Sequence, residues 1–161
     1  MKIIRVYGFI LALICFLAGE VFAQGKQGEE KILSEVLPDA VRFAAVKSAA
    51  GEIIYYQAYD KNNATAGVAF KTRGKGYFST IETMAGMDAQ GKLVVIKVLS
   101  QNETPGLGGQ VADVSFTSRF NGKNISDLNN IQAITGATIS SRAVIDSVKK
   151  KAEEIRSLLK E

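Results

Sequence analysis

The sequence predicts an α+β domain in which helices pack against a twisted, mainly antiparallel sheet. Two patterns support this class: short apolar segments separated by turn residues fill the middle of the chain, and an apolar stripe with helical spacing occupies its C-terminal end. A third observation sets the N-terminus apart, because residues 1–23 form an apolar run with a basic start. The length of 161 residues therefore allows one compact domain after that segment.

Four segments have the character of β-strands. Each is rich in apolar, aromatic or β-branched residues and is bounded by glycine, asparagine or aspartate. The segments are residues 52–60, 67–72, 81–87 and 92–100. Short turns join them, so consecutive strands are expected to form hairpins and therefore antiparallel pairs.

Helices are predicted before and after these strands. Residues 31–49 indicate a short helix, a break at Pro38-Asp39, and then a second helix or an opening strand. Residues 111–120 predict a short helix. From Ala143 onward apolar residues recur every three or four positions, which predicts a final amphipathic helix. The apolar residues of this helix are Val144, Val148, Ala152, Ile155 and Leu159.

The N-terminal segment predicts export. Lys2 and Arg5 precede an uncharged apolar run, and residues 21–23 before Gln24 have the small-residue pattern of a signal-peptidase site. Residues 1–23 are therefore either a signal peptide or a single transmembrane anchor, and we favour the anchor. Residues 24–30 are predicted to be a linker and 31–161 the domain. The basic start favours a domain on the outer face of the cytoplasmic membrane.

Composition excludes several kinds of site. The chain has no histidine, and its one cysteine, Cys15, lies in the N-terminal apolar run. The predicted domain thus has no imidazole or thiolate ligand for haem, an iron–sulfur cluster or zinc, and no metal site is expected. The net charge of +4 comes from lysines interleaved with acidic residues, which favours a solvated surface over a nucleic-acid interface. A redox role would require an organic cofactor.

A compact loop follows the most apolar predicted strand. Glu103 and Thr104 can supply a hydrogen-bond acceptor and a hydroxyl group. Gly106, Leu107 and Gly108 follow Pro105, and the glycines let a planar ligand approach the backbone closely. Loops at strand ends commonly carry ligand-binding groups.

A second small-residue loop precedes the final helix. Thr135-Gly136-Ala137-Thr138 carries two hydroxyl groups, and Ile139-Ser140-Ser141 follows. Serines are common helix caps, and a helix N-terminus favours a bound anion such as phosphate. On local physics alone, this loop could also be no more than a helix start.

The two loops, in this order, resemble the signatures of the FMN-binding domain family. That family includes the G subunit of the Rnf electron transport complex and the C subunit of the sodium-translocating NADH:quinone reductase. The resemblance implies FMN bound covalently through a phosphoester to Thr138. It also places the flavin beside the residues of both loops, which are Glu103, Thr104, Gly106, Leu107, Gly108, Thr135, Gly136, Ala137, Ile139 and Ser140.

The resemblance further implies partners and a role. Attachment would need a separate flavin transferase of the ApbE type, and electrons would pass to other membrane subunits of a redox complex. The chain would be an electron carrier within that complex more than a self-sufficient enzyme. Two alternatives stay open: a free-standing exported flavoprotein, and an exported adaptor without flavin. The adaptor is kept open by Gln132, which stands where the family usually has an acidic residue.

Overall fold

The computed structural model describes residues 27–160. The described residues from Leu33 onward belong to one compact unit. A first helix, α1, covers 27–36 and so includes residues 27–30, which the sequence assigned to a linker. The predicted signal or anchor at 1–23 lies outside the described residues. Within 27–160, none of the helices has the length and apolar character needed to cross a membrane.

Five strands form one antiparallel sheet, in which each strand pairs with the next along the chain. The strands are β1 Arg42–Lys47, β2 Ile53–Tyr59, β3 Thr65–Lys75, β4 Thr80–Asp88 and β5 Leu93–Ser100. The predicted α+β class with a mainly antiparallel sheet is confirmed. Of the two alternatives for the segment after Pro38-Asp39, the opening strand is present.

One face of the sheet is covered by the C-terminal helix α3, Thr138–Leu158. The predicted apolar stripe of α3 is buried from Val144 to Ile155. It packs against a row of sheet residues that includes Phe70, Ile81 and Ala85. Leu159 lies past the end of α3 and is half exposed, so it does not extend the stripe.

The face of β4 that points away from α3 is covered by Val36 and Leu37. A Cβ built on Gly86 would lie 2.1 Å from the carbonyl oxygen of Val36. Only glycine permits this backbone contact. Leu33, Val36 and Leu37 are all buried.

Helix α3 makes a similar backbone contact with β3. A Cβ on Gly74 would lie 2.1 Å from the carbonyl oxygen of Ala143. One helical turn further on, the hydroxyl groups of Thr72 and Ser147 are 3.2 Å apart. The start of α3 is therefore fixed against the end of β3, and this contact sets where Thr138 lies.

Two of the helix predictions were wrong. Helix α3 begins at Thr138 and not at Ala143. Residues 111–120 do not form one helix: a 3-10 turn at Gly108–Ala112 is followed by the short helix α2, Val114–Thr117, and a second 3-10 turn at Ser118–Phe120. The break occurs because Asp113 has an extended backbone, with φ −73° and ψ 146°.

Candidate functional site

A tight turn precedes α3. The backbone N–H of Ala137 donates to the carbonyl oxygen of Ile134 over 2.9 Å. Gly136, the third residue of this turn, has φ +79°, a value that L side chains rarely adopt. Thr135 and Gly136 are consequently exposed at the tip of the turn, and Thr138 follows as the first residue of the helix.

The N-terminus of α3 has no side-chain cap. The predicted capping role of Ser140 and Ser141 is wrong, because both serines lie inside the first turn of the helix and are buried. The first backbone bond of the helix is donated by Ser141 to Ala137 over 2.9 Å. Within 27–160, the N–H groups of Thr138, Ile139 and Ser140 have no acceptor. Such groups favour an anion.

Instead, the Ser141 side chain holds the turn that precedes α3. Its hydroxyl accepts a hydrogen bond from the N–H of Ile134 at 3.0 Å and donates one to the carbonyl oxygen of Ala137 at 2.8 Å. Both ends of the turn are thus tied to the helix that follows. This buried hydroxyl group therefore helps to hold the turn that leads into Thr138.

We expect Ser141→Ala to lower the free energy of unfolding by about 1–3 kcal/mol, because it leaves the Ile134 N–H without its acceptor. Ser157→Ala is the matched control. It removes an exposed hydroxyl of the same helix that bonds only to a helix carbonyl, and it should change stability by less than about 0.5 kcal/mol. Urea unfolding followed by circular dichroism measures both variants. Equal losses of unfolding free energy would contradict the proposed role of the Ser141 hydroxyl group.

The loop after β5 contributes a buried carboxylate, Glu103, which is only 5% exposed. Its Oε1 accepts hydrogen bonds from the backbone N–H of Phe78 and from both the N–H and hydroxyl of Ser79, at 2.8–3.0 Å. Its Oε2 accepts from the N–H of Tyr77 at 3.0 Å and from the hydroxyl of Ser140 at 2.5 Å. Glu103 therefore connects the β3–β4 turn to the first turn of α3.

These five donors keep Glu103 ionised. Burial alone would raise its pKa. The hydrogen bonds from Ser140, Ser79 and Phe78 together lower the pKa by more than burial raises it, so the pKa falls to about 2. Within 27–160 the carboxylate forms no ion pair, so the hydrogen bonds alone stabilise its charge. That stabilisation is present above the ordinary pKa of 4.5 and is lost as the pH falls toward 2.

The β3–β4 turn, the loop after β5 and the start of α3 together enclose one cavity of about 460 Å³. This volume is within the roughly 300–1,000 Å³ of ligand sites. Part of its wall is apolar and open to solvent, because Tyr77 is 67% exposed, Leu107 49% and Ile139 54%. The lining residues are Tyr77, Glu103, Thr104, Leu107, Gly108, Gly136, Ala137, Thr138, Ile139 and Ser140.

Nearly all of the residues predicted from the two loops line this cavity. The exceptions are Gly106 and Thr135. Gly106, with φ +73°, shapes the loop, and Thr135 lies at the tip of the turn before α3. The sequence did not identify Tyr77 as a site residue. The glycine-rich segment with aromatic residues at 74–78 was the available signal, but no local pattern shows that it folds over Glu103.

Comparison with known proteins assigns the family. Residues 76–153 match the family described as FMN-binding domain. Over 158 residues the chain is 33% identical to the G subunit of the proton-translocating ferredoxin:NAD(+) oxidoreductase complex of Clostridium ljungdahlii, and the match covers 92% of this chain and 83% of the relative. The chain belongs to this family of FMN-binding G subunits. The G subunit of the Na(+)-translocating ferredoxin:NAD(+) oxidoreductase complex of Acetobacterium woodii is 30% identical over 169 residues, covering 89% and 81%.

Solved structures support the fold of this G-subunit relative. NqrC of Shewanella oneidensis aligns with a TM-score of 0.53 at 17% identity, over 76% of this chain and 74% of NqrC. The corresponding Na(+)-translocating NADH-quinone reductase protein of Parabacteroides distasonis aligns with a TM-score of 0.51 at 19% identity, over 60% and 57%. The predicted family and fold class are confirmed, and the family description supports FMN as cofactor. Its covalent bond to Thr138 stays a prediction.

Proposed function

We propose that this G-subunit relative is an electron carrier that holds FMN covalently on Thr138. The observation that carries the proposal is the place of this threonine. Thr138 is exposed, lines the cavity, and is the first residue of a helix whose N-terminal N–H groups have no acceptor within 27–160. A phosphate esterified to its hydroxyl group would lie where those N–H groups and the helix dipole favour negative charge.

The rest of the cavity suits a flavin ring and its ribityl chain. Tyr77, Leu107 and Ile139 supply apolar surface for a planar ring, and Thr104 supplies a hydroxyl group. Leu107 also packs on the turn before α3, since its Cδ2 would lie 3.4 Å from a Cβ on Gly136. We propose that the ring lies between the loop after β5 and the first turn of α3.

In this arrangement the protein positions the cofactor and excludes water from part of it. FMN, once bound, can accept electrons in pairs and release them singly. The half-open wall around Tyr77 and Ile139 would leave one edge of the ring accessible to another redox protein. We propose that the partners are other subunits of an ion-translocating complex, as the names of the relatives suggest.

The direct test is the intact mass of the protein produced with an ApbE-type flavin transferase and exported. We expect one covalently added FMN per chain and a flavin absorption spectrum that survives denaturation. A folded chain without added FMN under these conditions would refute the covalent site and favour an adaptor without flavin. A flavin lost on denaturation would refute only the covalent bond.

We propose that the domain lies on the outer face of the cytoplasmic membrane, tethered by residues 1–23. Protease added to intact spheroplasts should then degrade the domain. A cytoplasmic protein in the same sample, which should survive until lysis, is the control. Protection of the domain until lysis would contradict this orientation, and N-terminal mass analysis would show whether cleavage occurs after Ala23.

A further inference from the structure

The loop after β5 is joined to the rest of the cavity by one side chain. We propose that Glu103 is a positioning residue, which holds the β3–β4 turn and the first turn of α3 in the geometry that presents Thr138 to a flavin phosphate. This inference rests on the proposed function. It assigns Glu103 a task other than direct contact with the flavin.

The hydrogen-bond pattern supports an indirect role. Each carboxylate oxygen already accepts a backbone N–H from the β3–β4 turn, and Oε2 also accepts the Ser140 hydroxyl. With five donors on two oxygens, Glu103 has little remaining capacity to accept from a ligand. Its influence on the cavity would pass through Tyr77, which lines one wall, and Ser140, which lies two residues after Thr138.

Two glycines enclose the same carboxylate. A Cβ on Gly76 would lie 2.6 Å from Glu103 Oε1. A Cβ on Gly108 would lie 2.7 Å from the Ser140 hydroxyl and 2.9 Å from Glu103 Oε2. The backbone thus approaches the carboxylate from two segments at distances that no side chain would permit. Both segments therefore pack directly against Glu103 and its Ser140 partner, as expected if the carboxylate fixes their relative position.

Glu103→Gln tests this role because an amide cannot replace the carboxylate. In either orientation of the Gln side chain, the NH₂ group would face a backbone N–H that has no lone pair to offer. Ser140→Ala is the milder variant, since it removes only the connection to α3. Glu82→Gln is the matched control: this carboxylate pairs with Arg73 on the sheet and is absent from the cavity wall.

The full chain, with each substitution, is incubated with FAD and an ApbE-type transferase, and FMN incorporation is followed by mass. We expect Glu103→Gln and Ser140→Ala to load FMN at least about tenfold more slowly than wild type. The loaded fraction should show an altered visible circular dichroism spectrum and a shifted reduction midpoint. Glu82→Gln should load at the wild-type rate with an unchanged spectrum.

The outcomes separate the two claims. Failure of the wild type to acquire FMN would refute the proposed function, and this inference with it. Normal loading of the wild type and of both variants, with unchanged spectrum and midpoint, would overturn the positioning role and leave the proposed function intact. If Glu103→Gln does not fold, Ser140→Ala decides, because it leaves the carboxylate bound to the β3–β4 turn.

Discussion

Replacing Thr138 with valine is expected to abolish covalent FMN loading while the domain stays folded. Valine keeps the branched shape at the first position of α3 and removes only the hydroxyl group. Thr138 is exposed and no described residue depends on that hydroxyl for a hydrogen bond. The free energy of unfolding should therefore change by less than about 0.5 kcal/mol, whereas the added FMN mass should disappear.

Thr135→Val provides the control for this experiment. Thr135 is a second exposed hydroxyl on the same loop, only three positions earlier, but it does not line the cavity. We expect this variant to load FMN like the wild type. Intact mass and fluorescence of the denatured protein measure both variants. Loading of Thr138→Val, or loss of loading in Thr135→Val alone, would mean that the attachment residue has been misassigned.

Replacing Gly74 with alanine should cause the largest loss of stability that we predict. The new Cβ would lie 2.1 Å from the oxygen and 2.7 Å from the carbon of the Ala143 carbonyl, so α3 would have to move away from β3. Overpacking against backbone has no flexible side chain to absorb it, and we expect a loss of about 3 kcal/mol. FMN loading should fall as well, because Ala143 and Thr138 share one helix.

Gly109→Ala is the matched glycine substitution. Its Cβ would lie 3.4 Å from the nearest atom, an ordinary contact, although Gly109 is next to the cavity-lining Gly108. Urea unfolding should show a change within about 0.5 kcal/mol for this control. If Gly74→Ala were equally harmless, the close contact between α3 and β3 would be refuted.

The strands were predictable because their signals are local. The predicted segments 52–60 and 92–100 correspond to Ile53–Tyr59 and Leu93–Ser100. Strand β3 was predicted too short, since it continues to Lys75 through alternating charged and buried residues. The charged members, Lys71, Arg73 and Lys75, point outward and do not interrupt a strand that is half buried.

The details of the site were less predictable, because they depend on distant partners. Ser140 and Ser141 have the composition of helix caps, but in the fold they bond to Glu103, 37 residues away, and to Ile134, 7 residues away. The close contact of Gly74 with Ala143 likewise cannot be predicted from the residues around either position. The two loops were identified through their resemblance to a family, whereas the carboxylate that joins them required the structure.

The three segments around the cavity, residues 76–79, 103–108 and 134–140, are far apart in the chain. Because α3 carries the last of them, the surroundings of Thr138 exist only after the C-terminal helix has docked on the sheet. A transferase that recognises those surroundings would modify finished domains and pass over truncated or misfolded ones, which would stay colourless. The yellow absorbance of a preparation would then measure the fraction of correctly folded molecules.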